Sequence, residues 1–374
     1  MSPAKVSAND VPMHGNGFYS SNSALQHAAM LNALPLLSAA ASDAQPQEQE
    51  QEAHSRPFTI LEFGSAHGNN SHTPITTILQ SRALAPTREI HLQFNDRPTN
   101  DFTTLATNLA TTTWPVPNQT FTALVPASFY SRVAPHGSVD VAFSLAALHH
   151  LDRVTPVAPH GPVPPHEARQ AEFRAQAHAD LLAFLGHRAA EVVPGGGLVL
   201  SFVGQELGPR GEEITNYAGP VDACRAAMVE MLQAGVLAPA VANVFEVPAY
   251  NRTLADVRRT LGENAVLAQW SVEEVFERKV VHPAIGELEA RRKAAPGMEA
   301  EHAEWYARTV VDWLMAVVAG YFVKAVREGM GVTDAQTVEG LLAQWVERTR
   351  VRFLEDHRNE AVECWFVYAR LSRK

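Results

Sequence analysis

The sequence predicts an α/β fold in which a mainly parallel sheet carries helices on both faces and lies under a mainly helical cap. Two observations predict it. Between residues 56 and 204, short apolar runs alternate with helical stretches, which is the pattern of parallel strands joined by helical crossovers. Beyond Gly204, helical periodicity dominates until a last apolar run near the end of the chain.

The apolar runs have the length and composition of buried strands. Their predicted bounds are Phe58–Phe63, Glu89–Asn95, Phe121–Pro126, Val139–Ser144, Gly197–Val203 and, near the C-terminus, Ala361–Ala369. A long helix is predicted over Glu167–Val193, where apolar residues recur at helical spacing, and the segment Pro194-Gly-Gly-Gly197 is expected to end it. The Pro-rich stretch Thr155–Pro165 predicts a loop without regular structure.

The remaining helices define the organisation of the chain. An Ala- and Leu-rich helix is predicted over Ala24–Leu37, followed by an acidic, repetitive linker over Ser42–Ala53. Cap helices are predicted at Gly219–Ala234, Leu254–Leu261, Ala300–Glu328 and Thr333–Arg350. We therefore divide the chain into a covering segment (1–55), an α/β core (56–204), a cap that forms the substrate pocket (205–360) and a strand that returns to the core sheet (361–374).

Composition excludes several classes of partner. The 40 acidic and 30 basic residues give a formal charge of −10, and no dense Lys/Arg block could follow a phosphate backbone, so nucleic acid is not expected to bind. Apolar stretches such as Trp313–Val318 are shorter than the roughly 20 residues of a membrane-spanning helix, so no membrane contact is expected. Two distant cysteines, Cys224 and Cys364, and a first segment without a signal-like apolar run predict free thiols in the cytoplasm.

A glycine turn is the strongest local feature. Gly64 and Gly68 separate the predicted strand Phe58–Phe63 from a helix that begins near Thr73. In an open parallel sheet, ligands bind beyond the carboxyl ends of the strands, where glycine lets the backbone approach them. The three-glycine spacing of a pyrophosphate site is absent, so the turn favours a nucleotide-like ligand without a pyrophosphate. The alternative is that these glycines only end a strand, while Asp96 caps the next helix.

S-adenosylmethionine is a ligand of this kind, because it combines adenine, a ribose diol and an amino acid group but has no phosphate. Asp96 ends the second predicted strand, where a carboxylate can accept hydrogen bonds from both ribose hydroxyls. We therefore expect S-adenosylmethionine as the cofactor and no metal ion.

Six segments, in order along the chain, resemble motifs of the SABATH family, the salicylate, benzoate and theobromine methyltransferases. They are Tyr19-Ser-Ser-Asn-Ser23-Ala-Leu-Gln26, Glu62-Phe-Gly64-Ser-Ala-His-Gly68-Asn-Asn70, Phe94-Asn-Asp96-Arg-Pro-Thr-Asn100-Asp-Phe102, Val125-Pro-Ala-Ser128-Phe129-Tyr130-Ser-Arg132, Leu148-His-His150-Leu151 and Val193-Pro-Gly-Gly-Gly-Leu-Val-Leu200. The resemblance implies a Rossmann-like methyltransferase sheet, transfer of a methyl group to the carboxylate of a small organic acid to give a methyl ester, and a homodimer.

The resemblance also implies a set of site residues. Gln26 and His150 are expected to hold the substrate carboxylate as the catalytic pair, with His149 as a further substrate contact. Among the cofactor residues, Ser128 is expected near adenine and Phe129 is expected to pack against it. The full expected cofactor set is Tyr19, Ser23, Glu62, Gly64, Asn70, Asp96, Arg97, Ser128, Phe129 and Ser144.

The departures from the family pattern concern the substrate more than the cofactor. Glu62 replaces an aspartate, Ser65 a cysteine and Arg97 a leucine. On the substrate face, Ala146 and His150 replace an aromatic pair that is typical of plant members. We therefore hypothesise a polar pocket for a small polar acid or a dicarboxylic acid, in which a protonated His150 could add positive charge.

A carboxylate has an ordinary pKa of roughly 4 and needs no general base, so positioning and removal of water are expected to drive transfer. The other possibilities are N-methylation of a heterocycle and a non-catalytic binder of the same fold. A zinc site is not favoured, because His149 and His150 are adjacent and no His-x-x-x-His spacing accompanies them. Either histidine could instead pack in the core or cap a helix near Leu151.

Overall fold

The computed structural model describes residues 6–7, 11, 22–44, 56–81 and 88–374. The predicted cofactor residue Tyr19 and residues 45–53 of the predicted linker lie outside the described residues. The central element is a seven-stranded sheet. Its strands are β1 (Phe58–Phe63), β2 (Ile90–Asp96), β3 (Thr120–Pro126), β4 (Val139–Leu145), β5 (Val192–Val203), β6 (Trp270–Val281) and β7 (Glu363–Arg373).

The strand order is β6-β7-β5-β4-β1-β2-β3. The five strands from β5 to β3 are parallel, and β7 pairs antiparallel with both β5 and β6. Every residue of β1 is buried, which explains why four of its six residues are large and apolar. Because β1 pairs with β2 on one side and β4 on the other, the strand order reverses there. This is the position at which open α/β sheets bind ligands.

Helices cover both faces of the sheet. On one face, Leu37 and Ile78 pack against Phe58 and Ile60 of β1. On the other, Phe184 meets Phe63 edge to face, with ring centroids 5.3 Å apart. The helices are α1 (Ala24–Leu31), α2 (Leu34–Asp43), α3 (His72–Ser81), α4 (Phe102–Thr111), α5 (His166–Glu191), α6 (Ala218–Gln233), α7 (Pro239–Val244), α8 (Leu254–Leu261), α9 (Asn264–Leu267), α10 (Ala284–Ala294), α11 (Glu299–Met330) and α12 (Ala335–Asp356).

The cap is built on α6, α11 and α12. Phe322 of α11 stacks on Trp345 of α12 at 4.3 Å between ring centroids, and the Trp345 indole donates to the Cys224 carbonyl of α6. By length and composition, α11 could cross a membrane, but 61% of its most apolar window is buried inside the protein. It is therefore a core helix of the cap.

Several predicted elements differ from the structure. The helix predicted over Ala24–Leu37 is two helices, because Pro35 lies in the first turn of α2 and starts a new helix. The Pro194-Gly-Gly-Gly197 segment does not separate helix from strand, since β5 begins at Val192 and runs through it. The edge strand β6 was not predicted, because its exposed positions carry charged residues and hide its apolar ones.

Two further points concern the organisation of the chain. Residues 155–165 are free of helix and strand, as predicted, whereas no helix begins near Leu151, which is followed by the two-residue strand Arg153–Val154. Because β6 belongs to the central sheet, the segment 205–360 contributes to more than the cap. The division of the chain at residues 55, 204 and 360 stays a prediction.

Candidate active site

A cleft lies where β1 ends, at the reversal of strand order. Gly64 follows β1 with φ +77°, and a Cβ there would lie 2.5 Å from the Cβ of Ala147. Gly68 has φ +79°, and a Cβ would lie 2.8 Å from Leu105 Cδ1. The positive φ therefore favours glycine at both positions, and close packing also requires it at Gly64, so both leave backbone exposed to the cleft. Ser23, Gln26, Glu62 and Asn70 also line it.

Asp96 lies at the end of β2 beside this cleft. One carboxylate oxygen accepts a hydrogen bond from the Ala66 N–H and the other from the Arg97 N–H, both at 2.7 Å. Burial raises the pKa of Asp96, and the Ala66 N–H donor opposes that rise. A carboxylate can accept about four hydrogen bonds, so acceptor sites remain for a diol.

Glu62 presents a buried acceptor without a partner. Its Oε2 has no hydrogen-bond partner among the described residues. Burial raises the pKa of Glu62 to about 7, and the neighbouring Asp96 carboxylate adds to the rise. Such a group is costly unless a ligand satisfies it. The ammonium group of an amino acid fits the requirement, because it donates hydrogen bonds and carries positive charge.

The structure brings Ser23 and Asn70 together across the cleft, where the Asn70 Nδ2 donates to Ser23 Oγ at 3.3 Å. The Ser144 hydroxyl donates to the Phe63 carbonyl at 3.1 Å and is fully buried, so it cross-links β4 to β1. The Arg97 guanidinium donates to the Val11 carbonyl. The cofactor contacts of both residues stay predictions.

Ser128 and Phe129 follow β3, which lies two strands away from β1, and a buried ion pair holds this segment in place. Arg188 of α5 donates to the carbonyls of Phe129 and Ser131, each at 2.8 Å. Glu191 lies 2.6 Å from the Arg188 Nε and accepts from the backbone N–H groups of residues 133 and 134. Both charged side chains are fully buried, which fixes the backbone on either side of Tyr130.

A second cavity, of about 450 Å³, adjoins the cleft. Gln26 lines both spaces, so it forms part of their common wall. The Trp313 indole donates to Gln26 Oε1 at 2.9 Å. Because an indole N–H can only donate, this bond identifies the amide oxygen and leaves the Gln26 amide nitrogen as the donor for a ligand.

The walls of this cavity are mainly apolar, and most of them come from the cap. The cap residues in this lining could not be identified from the sequence, because the cap helices carry no motif and Trp313 lies 287 positions from Gln26. Tyr217, which also lines the cavity, was not predicted as a site residue either. In the structure its φ is +43°, which is unusual for a tyrosine. The remaining lining consists of Leu25, Ala146, His149, His150, Val203, Val221, Cys224, Arg225, Met228, Phe245, Val247, Ala249, Asn251, Leu314, Val317, Val318, Trp345, Cys364 and Phe366.

The predicted histidine pair borders the cavity. The rings of His149 and His150 are 4.2 Å apart between centroids, and neither Nδ1 has a hydrogen-bond partner among the described residues. Burial lowers the pKa of His149 to about 3 and that of His150 well below its ordinary value. The positive charge that a protonated His150 would add is therefore not expected, because the pocket removes the water that would stabilise it. His150 is a neutral hydrogen-bonding group.

Both thiols are free, as predicted, and both border the cavity. Burial raises the pKa of Cys224 to about 12 and raises that of Cys364 as well. The two side chains therefore act as apolar wall and not as nucleophiles. Among the described residues, no group of three His, Cys, Asp or Glu side chains could hold a metal ion.

Comparison with known proteins identifies the fold and the reaction class. The sequence model of one protein family, the SAM-dependent carboxyl methyltransferases, matches residues 9–339 of this chain. The chain belongs to this family. The family resemblance seen in the sequence is thereby confirmed, and with it S-adenosylmethionine as the cofactor.

Relatives of this methyltransferase include O-methyltransferase acrG of Aspergillus aculeatus, 83% identical over 100% of both chains. Methyltransferase LUC1 of a Fusarium species is 49% identical over 98% of both. The solved structure of loganic acid methyltransferase with SAH covers 97% of this chain and 99% of its own, with a TM-score of 0.71 and 22% identity. The predicted Rossmann-like methyltransferase fold is confirmed.

If Glu62 contacts the ammonium group of the cofactor, as predicted, we expect cofactor binding to depend on pH. A protonated Glu62 cannot attract the ammonium group of the cofactor, so binding below about pH 7 requires loss of a proton. We expect the affinity for S-adenosylhomocysteine, which has the same amino acid group, to fall up to about tenfold per pH unit below pH 7 and to level off above it. Titration calorimetry in two buffers of different ionisation enthalpy measures both affinity and proton release.

Glu62→Gln is the control for this prediction. Its affinity should be lower than that of the wild type at pH 7.5 and almost independent of pH, because no carboxyl titrates at this position. Equal pH dependence in the variant and the wild type would assign the titration to another group, such as the neighbouring Asp96.

Proposed function

We propose that this methyltransferase esterifies the carboxylate of a mainly apolar organic acid bound in the 450 Å³ cavity. One observation carries the proposal. Apolar walls enclose a cavity that the neutral His150 lines, and the Gln26 amide lies at the border between this cavity and the cofactor cleft. The family description, carboxyl methyltransferase, supports a carboxylate as the acceptor.

The residues explain how such a reaction proceeds without a general base. S-adenosylmethionine, when bound, supplies an electrophilic methyl group on a positively charged sulfur. Gln26 donates from its amide nitrogen and His150 from one ring nitrogen, and two donors fix the direction of a carboxylate. The low pKa of His150 keeps the imidazole neutral, so it does not transfer a proton to the nucleophile. Apolar walls remove water from the carboxylate and raise its reactivity.

The shape and chemistry of the cavity refine the substrate hypothesis. Its size lies in the range of sites for drug-sized ligands. Its apolar lining favours an acid with an apolar body over a small polar acid. A dicarboxylic acid remains compatible if its body is apolar.

Replacing His150 by alanine tests the substrate site. We expect the KM for the acid to rise by about 10- to 100-fold, because a hydrogen bond to a charged group is lost, while affinity for S-adenosylhomocysteine stays nearly unchanged. Steady-state kinetics and titration calorimetry provide the two measurements. An unchanged KM would remove His150 from the site.

The function itself is tested with a panel of acids. Purified enzyme and methyl-labelled S-adenosylmethionine are incubated with apolar monocarboxylic acids, aliphatic diacids, aromatic acids and xanthines. We expect label in the apolar acids, and release of that label by mild alkali, since esters are base-labile. Alkali-stable label would indicate N-methylation of a heterocycle. No transfer to any acid would favour a non-catalytic binder.

We also propose a homodimer and a cytoplasmic location. The first rests on the family resemblance and the second on the free, buried thiols. Analytical ultracentrifugation and imaging of a fluorescent fusion test them.

A further inference from the structure

The turn that carries the two histidines is held by three donors, and two of them, the Tyr130 hydroxyl and the Arg252 guanidinium, also contact each other. It follows β4 and contains Ala146, whose φ of +59° is strained for a residue with a Cβ. The carbonyl of Leu148 accepts from the Arg252 guanidinium, that of His149 from the Tyr250 N–H at 2.8 Å, and that of His150 from the Tyr130 hydroxyl at 2.6 Å. These three carbonyls are therefore satisfied, and the bonds fix the backbone that carries the two rings.

Tyr130 differs from the other two donors in its origin. It immediately follows Phe129, whose ring it meets edge to face at 4.7 Å between centroids. The carbonyls on either side of it, those of Phe129 and Ser131, are both held by Arg188. The Tyr130 backbone is thus fixed, and its hydroxyl reaches from the segment expected near the cofactor to the histidine turn.

Arg252 and Tyr250, by contrast, connect the turn to structural elements. Arg252 also donates to the Ala177 carbonyl of α5 at 2.7 Å and is almost completely buried. Its removal would disturb the fold as a whole. The Tyr130 hydroxyl is the donor in this set that can be deleted while its ring and backbone stay in place.

We propose that Tyr130 is a positioning residue, whose hydroxyl sets the His150 ring for the substrate carboxylate and ties that ring to the Ser128–Phe129 segment. This inference rests on the proposed function, in which His150 contacts the substrate. Tyr130 does not touch the reacting atoms. It acts through the carbonyl of His150, and an error of one ångström in the position of such a group lowers the rate considerably.

The test uses Tyr130→Phe in the full chain, with the panel acid of highest turnover as substrate. We expect kcat/KM to fall by about tenfold and the affinity for that acid, measured calorimetrically with S-adenosylhomocysteine present, to fall in parallel. Affinity for S-adenosylhomocysteine alone should not change.

Tyr306→Phe is a matched control. The Tyr306 hydroxyl also donates to a backbone carbonyl, that of Glu360, at 2.6 Å in a buried setting away from both ligand spaces. The two variants should lose similar amounts of thermal stability, but Tyr306→Phe should retain kcat/KM within about twofold. Equal kcat/KM in both variants would overturn the inference.

A double-mutant cycle with His150→Ala separates positioning from a general structural effect. If Tyr130 acts through His150, Tyr130→Phe should add almost nothing to the loss already caused by His150→Ala. A further fall of about tenfold in the double variant would mean that Tyr130 supports the fold independently, and the inference would be wrong. If His150→Ala alone leaves KM unchanged, the proposed substrate role of His150 fails, and the positioning role fails with it.

Discussion

A Gly64→Ala variant is expected to bind S-adenosylhomocysteine at least about 100-fold more weakly than the wild type, because left-handed backbone strain and steric overlap each cost on the order of 1–3 kcal/mol. The strain arises at φ +77°, and the overlap at 2.5 Å from the Cβ of Ala147. Neither the backbone at Gly64 nor the Ala147 side chain can move freely, because Gly64 directly follows β1 and Ala147 belongs to the turn that carries the two histidines. The overlap can therefore be removed only if β1 and β4 move apart at this end. The residues at their ends line both the cleft and the cavity.

Gly137→Ala is the matched control for this variant. Gly137 also has a positive φ, +56°, but a Cβ there would meet nothing within 4 Å. It carries the backbone strain without the overlap and lies outside the residues that line the cleft. Calorimetry should show unchanged affinity for S-adenosylhomocysteine in Gly137→Ala. If Gly64→Ala also binds within about threefold of the wild type, the turn does not form the cofactor site.

The second large effect concerns the buried pair Arg188–Glu191. Arg188→Met is expected to lower the free energy of unfolding by about 3–5 kcal/mol, because it leaves Glu191 charged and buried without its cation. Both side chains are fully buried, and Arg188 also loses its bonds to the Phe129 and Ser131 carbonyls. Urea denaturation and thermal melting measure the loss.

Lys279→Met provides the comparison, since Lys279 pairs with Glu363 at 2.9 Å across β6 and β7 but both side chains are more than two-fifths exposed. Solvent screens an exposed pair of this kind, so its loss should lower the stability far less than the loss of Arg188. Similar losses in the two variants would show that burial of the Arg188–Glu191 pair does not determine its contribution.

Much of the fold could be predicted because its central strands are buried on both faces. The bounds of β1 and α8 agree residue by residue with the prediction. A mainly apolar run marks β1, and the Thr253 cap marks the start of α8. The edge strand β6 could not be predicted in this way. Only one face of an edge strand is covered, and charged residues on the other face replace the apolar run on which the prediction relied.

For the candidate site, the sequence could indicate the residues that lie in motifs but not their environment. Glu62, Gly64 and Asn70 line one cleft, and Gln26, His149 and His150 line one cavity, so the structure brings both predicted sets together. The roles assigned to them stay predictions. The neutral state of His150 depends on burial by distant segments, and the partner of Gln26 lies in the cap, so neither could be read from local sequence.

The position of Gln26 in the wall between cleft and cavity has a consequence for how new specificities arise in this family. The far walls of the cavity belong to cap positions such as Val221, Met228 and Val317, none of which lines the cleft. Substitutions there can reshape the range of accepted acids while the methyl donor is held as before. A substitution at Gln26 alters both spaces at once. Divergence among relatives should therefore concentrate on the cap helices, and Gln26 should change last.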